Sequence, residues 1–191
     1  MTQKFDFFFN KLKTLYKTHN REFKLQKPAT LEKIQEAEAL ISKKFDDSYK
    51  DFLLITNGSE YYDNWGVVYS DEYIPISFNS IEASIEDYMI FSYDKDFYKE
   101  WSITKKYQHF LKKELDKRIK SFLHHKYWFP IADFSGSATV YYDMDPTEAG
   151  DYGQIIVYQH DPDFVYYIAP NFISFLEDTV KLLENNPNYI S

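Results

Sequence analysis

The sequence predicts an α+β domain, a mainly antiparallel sheet flanked by N-terminal helices and closed by a C-terminal helix. Three observations carry that expectation. Apolar residues recur at helical spacing up to residue 56, four short β-type runs crowd between residues 127 and 169, and an amphipathic run follows at 172–183. Runs so closely spaced must mostly pair antiparallel, because a parallel crossover needs about a dozen or more linking residues.

The first segment, MTQKFDFFFNKLKTLYKTHNR, places Phe5, Phe8, Phe9, Leu12, Leu15 and Tyr16 on one helical face. Lysines interrupt its apolar patch and no small-residue cleavage site follows, so it reads as an amphipathic helix and not as a leader. Polar residues 19–29, ending near Pro28, read as a linker. Residues 1–29 therefore form a helix and linker, and 30–186 a single domain.

Thr30 is positioned to cap a helix whose Ile34, Ala37, Ile41 and Phe45 share a face. Ser48 with Asp51 has capping-box form and opens a second helix, YKDFLLIT, which Asn57-Gly58 ends because that pair tolerates left-handed backbone. From Trp65 the period changes to two, and VVYS and YIPI around Asp71-Glu72 suggest a hairpin. Ser80 caps a helix through Ile81, Ile85, Tyr88 and Met89.

Residues 103–123 return to a helical period at Tyr107, Leu111, Leu115, Ile119 and Leu123, with lysines on the other faces, inside a helical insertion around 94–126. The basic face is a solvated surface, a patch for nucleic acid or membrane, or a counterpart to acidic residues elsewhere. YWFPIAD, ATVYYD, GQIIVYQ and FVYYIA are the four strands. Asn171 caps the last helix, with Phe172, Phe175, Leu176, Val180 and Leu183 facing the sheet.

Charge is distributed unevenly. The 191 residues carry a net charge of −8, yet residues 129–191 hold ten acids against one base, Lys181. With no cysteine, disulfides, thiolate metal sites and cysteine nucleophiles are excluded. No apolar run approaches the roughly 18 residues of a membrane span, and a cytoplasmic location is expected.

Sequence offers little chemistry. Asp143 and Asp145 are placed to share a proton or a cation, or to form a turn in which they bond backbone N–H groups. DMDPTEAGDYGQ fails as a calcium loop, with Glu148 where glycine is needed and Gln154 where a bidentate acid is needed. His19, His109, His124, His125 and His160 lack zinc spacing, and His160 with Asp161 and Asp163 reads as a polar turn. Ser135-Gly136-Ser137 lacks a nucleophile elbow, and no phosphate or dinucleotide loop exists. The expectation is no enzyme, no catalytic residue, no metal and no cofactor.

Surface remains. Rings supply contact area and acids steer toward a basic partner. The candidate partner-contacting residues are Tyr61, Tyr62, Asp63, Trp65, Asp133, Tyr142, Asp143, Asp145, Glu148 and Asp151.

Two segments resemble a known family. LEKIQEAEALISKKFDDSYKDFLLITNGS, at 31–59, is similar to the N-terminal signature of the SUKH superfamily, with its acidic helix, polar-Tyr-Lys-x-Phe-Leu helix and Asn-Gly. WFPIADFSGSATVYYDMDPTEAGDYGQIIVYQHDP resembles the second signature, and APNFISFLE the final helix. The family's usual glycine-rich turn is FSGSA here. The resemblance implies helices packed on a mainly antiparallel sheet and a bacterial immunity protein that occludes a cognate toxin, often a nuclease or deaminase, without catalytic residues. It implies no direct nucleic-acid or membrane partner. The alternative it carries is a regulatory or scaffolding protein acting through protein contacts, as in yeast relatives that regulate cell-wall synthesis.

Overall fold

A computed structural model describes residues 3–59, 65–69, 72–91, 114–161 and 163–190, with backbone alone at 65–69, 72 and 91. Five helices and six strands are present among them: α1 (Gln3–Thr18), α2 (Leu31–Ile41), α3 (Asp47–Ile55), β1 (Trp65–Tyr69), β2 (Glu72–Phe78), α4 (Ile81–Phe91), β3 (Trp128–Phe134), β4 (Ala138–Asp143), β5 (Gln154–Gln159), β6 (Phe164–Ala169) and α5 (Phe172–Asn185). The strands pair antiparallel in sequence order. The α+β expectation therefore holds, and the sheet curls until β1 approaches β6.

Caps fix the helix starts. Thr30 accepts from the Lys33 N–H, Ser80 from Ala83 and Asn171 from Ser174, as the sequence predicts. The start of α3 differs from expectation: Asp46, not Ser48, accepts from the Tyr49 N–H, and the Ser48 hydroxyl also donates to Asp46. The Tyr142 hydroxyl donates to the second Asp46 oxygen at 2.8 Å and accepts from the Asp46 N–H at 3.1 Å. A contact spanning 96 residues thus fixes the cap.

Side chains alternate across the strands, and both faces of the sheet are covered. On one face Phe129, Val140, Tyr142, Ile155 and Val157 meet Tyr49 and Phe52 of α3 and Phe172, Phe175 and Leu176 of α5. Rings dominate this core, with Tyr49 stacked on Tyr142 at 5.4 Å and Phe52 beside Phe172 at 5.2 Å. Phe5, Phe9, Leu12 and Tyr16 of α1 are buried in the same core, so α1 packs as part of it against α5.

On the other face Trp128, Tyr141, Ile156 and Val165 are covered by Ile119 and Leu123, with Leu115 and Phe122 partly buried beside them. Residues 114–126 are turns and bends, which corrects the expected helix over that part of 103–123; residues 103–113 lie outside the described ones. The apolar period is real there, but it serves an irregular strap across the sheet. The carbonyls of Lys117 and Arg118, which a helix would use internally, accept from Thr147 and Gln154.

The loop between α3 and the sheet is equally bound. Asn57 accepts the first N–H of α4, from Ile81, and donates to Glu82. Ser59 exchanges two bonds with Phe78, while Leu25 bridges to Ser59 and the Gln26 amide donates to the Ser59 carbonyl. The polar linker at 19–29 is thereby stitched to the end of β2.

Candidate interaction surface

The Asp143–Asp145 turn is an internal fastening. Asp143 is fully buried, with one oxygen accepting the Asp145 N–H at 2.9 Å and the other the Gln154 amide at 2.8 Å. The Trp128 indole N–H is buried nearby, short of hydrogen-bond geometry but close enough to favour the carboxylate. Burial pushes the Asp143 carboxyl up to about 6, the Asp145 charge adds to this, and the hydrogen bonds oppose it.

Asp145 faces the strap. It accepts from Lys120 at 2.6 Å and from His125 at 2.8 Å. Burial works to raise its pKa, but these two bonds outweigh it and hold the carboxyl below its ordinary value. The Gln154 amide also donates to the Arg118 carbonyl at 3.0 Å, and the Arg118 guanidinium lies 3.1 Å from the Tyr167 ring centroid. Together these contacts pin 116–125 to the sheet.

The ten candidate residues consequently divide. Tyr61, Tyr62 and Asp63 lie outside the described residues, and Trp65 is described by backbone alone. Tyr142 and Asp143 are corrected: both are fully buried, because they point into the sheet-helix core and the fastening turn, and neither presents a surface to a partner. Asp145 is engaged with the strap. Glu148 and Asp151 are exposed, and Asp133 stands at the end of β3 on the rim of a cleft.

The acidic C-terminal third is partly neutralised by bases distant in sequence. Glu177 meets Lys4, Glu184 meets Lys11, and Asp145 meets Lys120. The Lys120–Asp145 pair is the pairing that the sequence left open for the basic run at 103–123. Not every carboxylate is paired: among the described residues Asp133, Glu148, Asp151 and Asp161 of this third, and Asp87 of α4, have no ion pair. Asp133 bonds only the Gly136 N–H, and Asp87 of α4 bonds only the Asn79 amide, with no lysine or arginine in ion-pair range among the described residues.

Asp87 and Asp133 line one concavity of about 360 Å³ together with Thr139, Tyr158 and two histidines. A second hollow of about 360 Å³, rimmed by Ser59, Ser77, Asn79 and Ser135, shares Asp133. Burial first, then the neighbouring charges of Asp133 and Glu86, raises the Asp87 carboxyl above its ordinary value. His124 packs 4.6 Å from the Tyr158 ring, and burial pushes its imidazole down to about 4. Tyr158 donates to Asp163, which also bonds His160 at 2.9 Å, so the expected His160 turn is present and forms a wall.

Sequence reasoning missed Asp87, His124 and Tyr158 as parts of this surface. Their only signal was residue type, since α4, the strap and β5 meet here through the fold. Among the described residues no group of three His, Asp or Glu side chains is arranged to hold a metal ion. No described helix is long and apolar enough to cross a membrane.

A curled antiparallel meander with helices on one face is the α+β architecture expected of a SUKH domain. The family model described as SMI1 / KNR4 family (SUKH-1) matches residues 28–178, and the chain belongs to that family. The match begins after α1. No curated protein matches the chain.

Proposed function

We propose that this protein is an immunity protein that binds and neutralises a cognate toxin, a nuclease-type domain, by occluding its active surface without catalysis. The observation that carries the reading is the cleft at Asp87 and Asp133, where two carboxylates face one hollow with no lysine or arginine in ion-pair range among the described residues, while Asp145, Glu177 and Glu184 are paired internally. Family membership supports it, since proteins of this family are often immunity proteins. A nuclease must carry a basic groove for phosphates, and an acidic surface competes for that groove and accelerates encounter.

The test is co-expression with the toxin encoded beside this gene. Survival restored by the protein, together with a complex that copurifies, is the expected result. Equal killing with and without the protein, and no complex, would remove the proposal.

A further inference from the structure

We propose that the cleft between α4 and the β3–β4 and β5–β6 turns seats an arginine side chain of a protein partner. The proposal deepens the immunity reading by naming what the toxin inserts. Three separate features meet there: a hollow at the surface, an aromatic wall and two carboxylates with no lysine or arginine in ion-pair range among the described residues.

The atoms suit a guanidinium. Asp87 accepts from Asn79 through Oδ2, and Asp133 accepts from the Gly136 N–H through Oδ2. Each therefore keeps Oδ1 for an incoming donor. The two groups come from different elements yet lie close enough for their charges to interact. A planar cation with five N–H donors bonds two such oxygens at once and relieves their repulsion.

Tyr158 supplies the flat contact. Its hydroxyl is tied to Asp163, its ring rests against His124, and the side chain lines the hollow. A guanidinium stacks on such a ring while bonding carboxylates at its edge; an ammonium has three diverging donors and no planar face. The second hollow shares Asp133 and adjoins the same turn at Ser135, and it leaves room for the backbone that bears the arginine.

The experiment is a nuclear magnetic resonance titration of the isotope-labelled full chain with N-acetyl-arginine amide, with N-acetyl-lysine amide and with calcium chloride, in the wild type and in an Asp87→Asn/Asp133→Asn variant. Asparagine keeps an acceptor for Asn79 and Gly136 and removes the repulsion, so the variant is expected to melt no lower than the wild type. The expected result is saturable shifts at Gly136, Thr139 and Tyr158 with a dissociation constant on the order of 10 mM for arginine amide, about tenfold weaker in the variant and several-fold weaker for lysine amide. Equal shifts in wild type and variant would overturn the assignment. So would calcium saturating these residues while arginine leaves them unmoved.

The same variant separates this assignment from the immunity reading. If the wild type protects cells and the variant protects equally, the cleft is not the seat and the immunity reading stands. If the wild type fails to protect, the toxin reading falls, and the titration alone decides whether the cleft takes arginine.

Discussion

Gly58→Ala is expected to destabilise the protein by about 3 kcal/mol or more, among the largest effects of any single methyl group added to this chain. Gly58 has φ +95°, a left-handed conformation that side-chain-bearing residues rarely adopt. A Cβ there would stand 2.6 Å from the Phe78 carbonyl oxygen and 2.7 Å from that of Asn79. Both are backbone atoms at the end of β2, so neither can swing aside as a flexible side chain can. Relief requires the loop to lift, and lifting it breaks the Asn57 bonds to α4 and the Ser59 bonds to Phe78. Chemical denaturation of the purified variant checks this. A loss below about 1 kcal/mol would mean that the loop yields far more easily than its hydrogen bonds suggest.

A second large effect is expected in the pH dependence of stability. His124 titrates near 4 when folded and near 6.5 when unfolded. Its contribution is complete above pH 6.5; as pH falls from 6.5 toward 4 the unfolded chain takes the proton first, and the fold loses about 3 kcal/mol. Asp143 runs the other way. Its carboxyl titrates near 6 when folded and near 3.8 when unfolded, so between those values the folded state holds the proton, and stability rises by about 3 kcal/mol as pH falls through the window.

In the wild type these two contributions nearly cancel. Asp143→Asn removes one of them, and its stability should then fall by about 3 kcal/mol more than that of the wild type between pH 6.5 and 4. His125, also held low by burial, adds to the acid loss in both proteins. Asp145 and Asp163, held below the ordinary carboxylate value, lose their contributions at still lower pH. Urea unfolding at intervals from pH 4 to 7 measures the difference. Parallel curves for wild type and variant would contradict the role given to Asp143, and a variant whose stability does not fall between pH 6.5 and 4 would contradict that given to His124.

Much of the fold is readable along the chain because its signals are local. Thr30, Ser80 and Asn171 cap helices by bonds reaching three residues ahead, and the four late strands announce themselves by short apolar runs between turns. Local reading fails where a distant contact decides. Asp46, Asp47 and Ser48 are all good caps in sequence, and Tyr142 selects the first of them. Leu115, Ile119 and Leu123 keep a helical rhythm, yet the sheet and the turn at 143–154 draw them into a strap.

The site was less legible than the fold. Charge asymmetry pointed to an acidic surface, but Lys11 and Glu184 are 173 residues apart, and no pattern along the chain says that they meet. Such pairings decide which acids remain available. Asp133 lines the cleft, whereas Tyr142 and Asp143 proved interior because strands buried on both faces leave no solvent side. Asp87 was invisible because a single aspartate on an amphipathic helix looks like ordinary solvated charge.

The central claim, that this domain acts by offering uncompensated acidic charge to a basic protein surface, is tested most directly by the association rate with a toxin domain against which it protects, at rising ionic strength. Stopped-flow measurement between about 0.05 and 0.5 M salt is expected to show the rate falling by about tenfold or more, while the Asp87→Asn/Asp133→Asn variant begins slower and falls less. A rate independent of salt and equal in wild type and variant would contradict it.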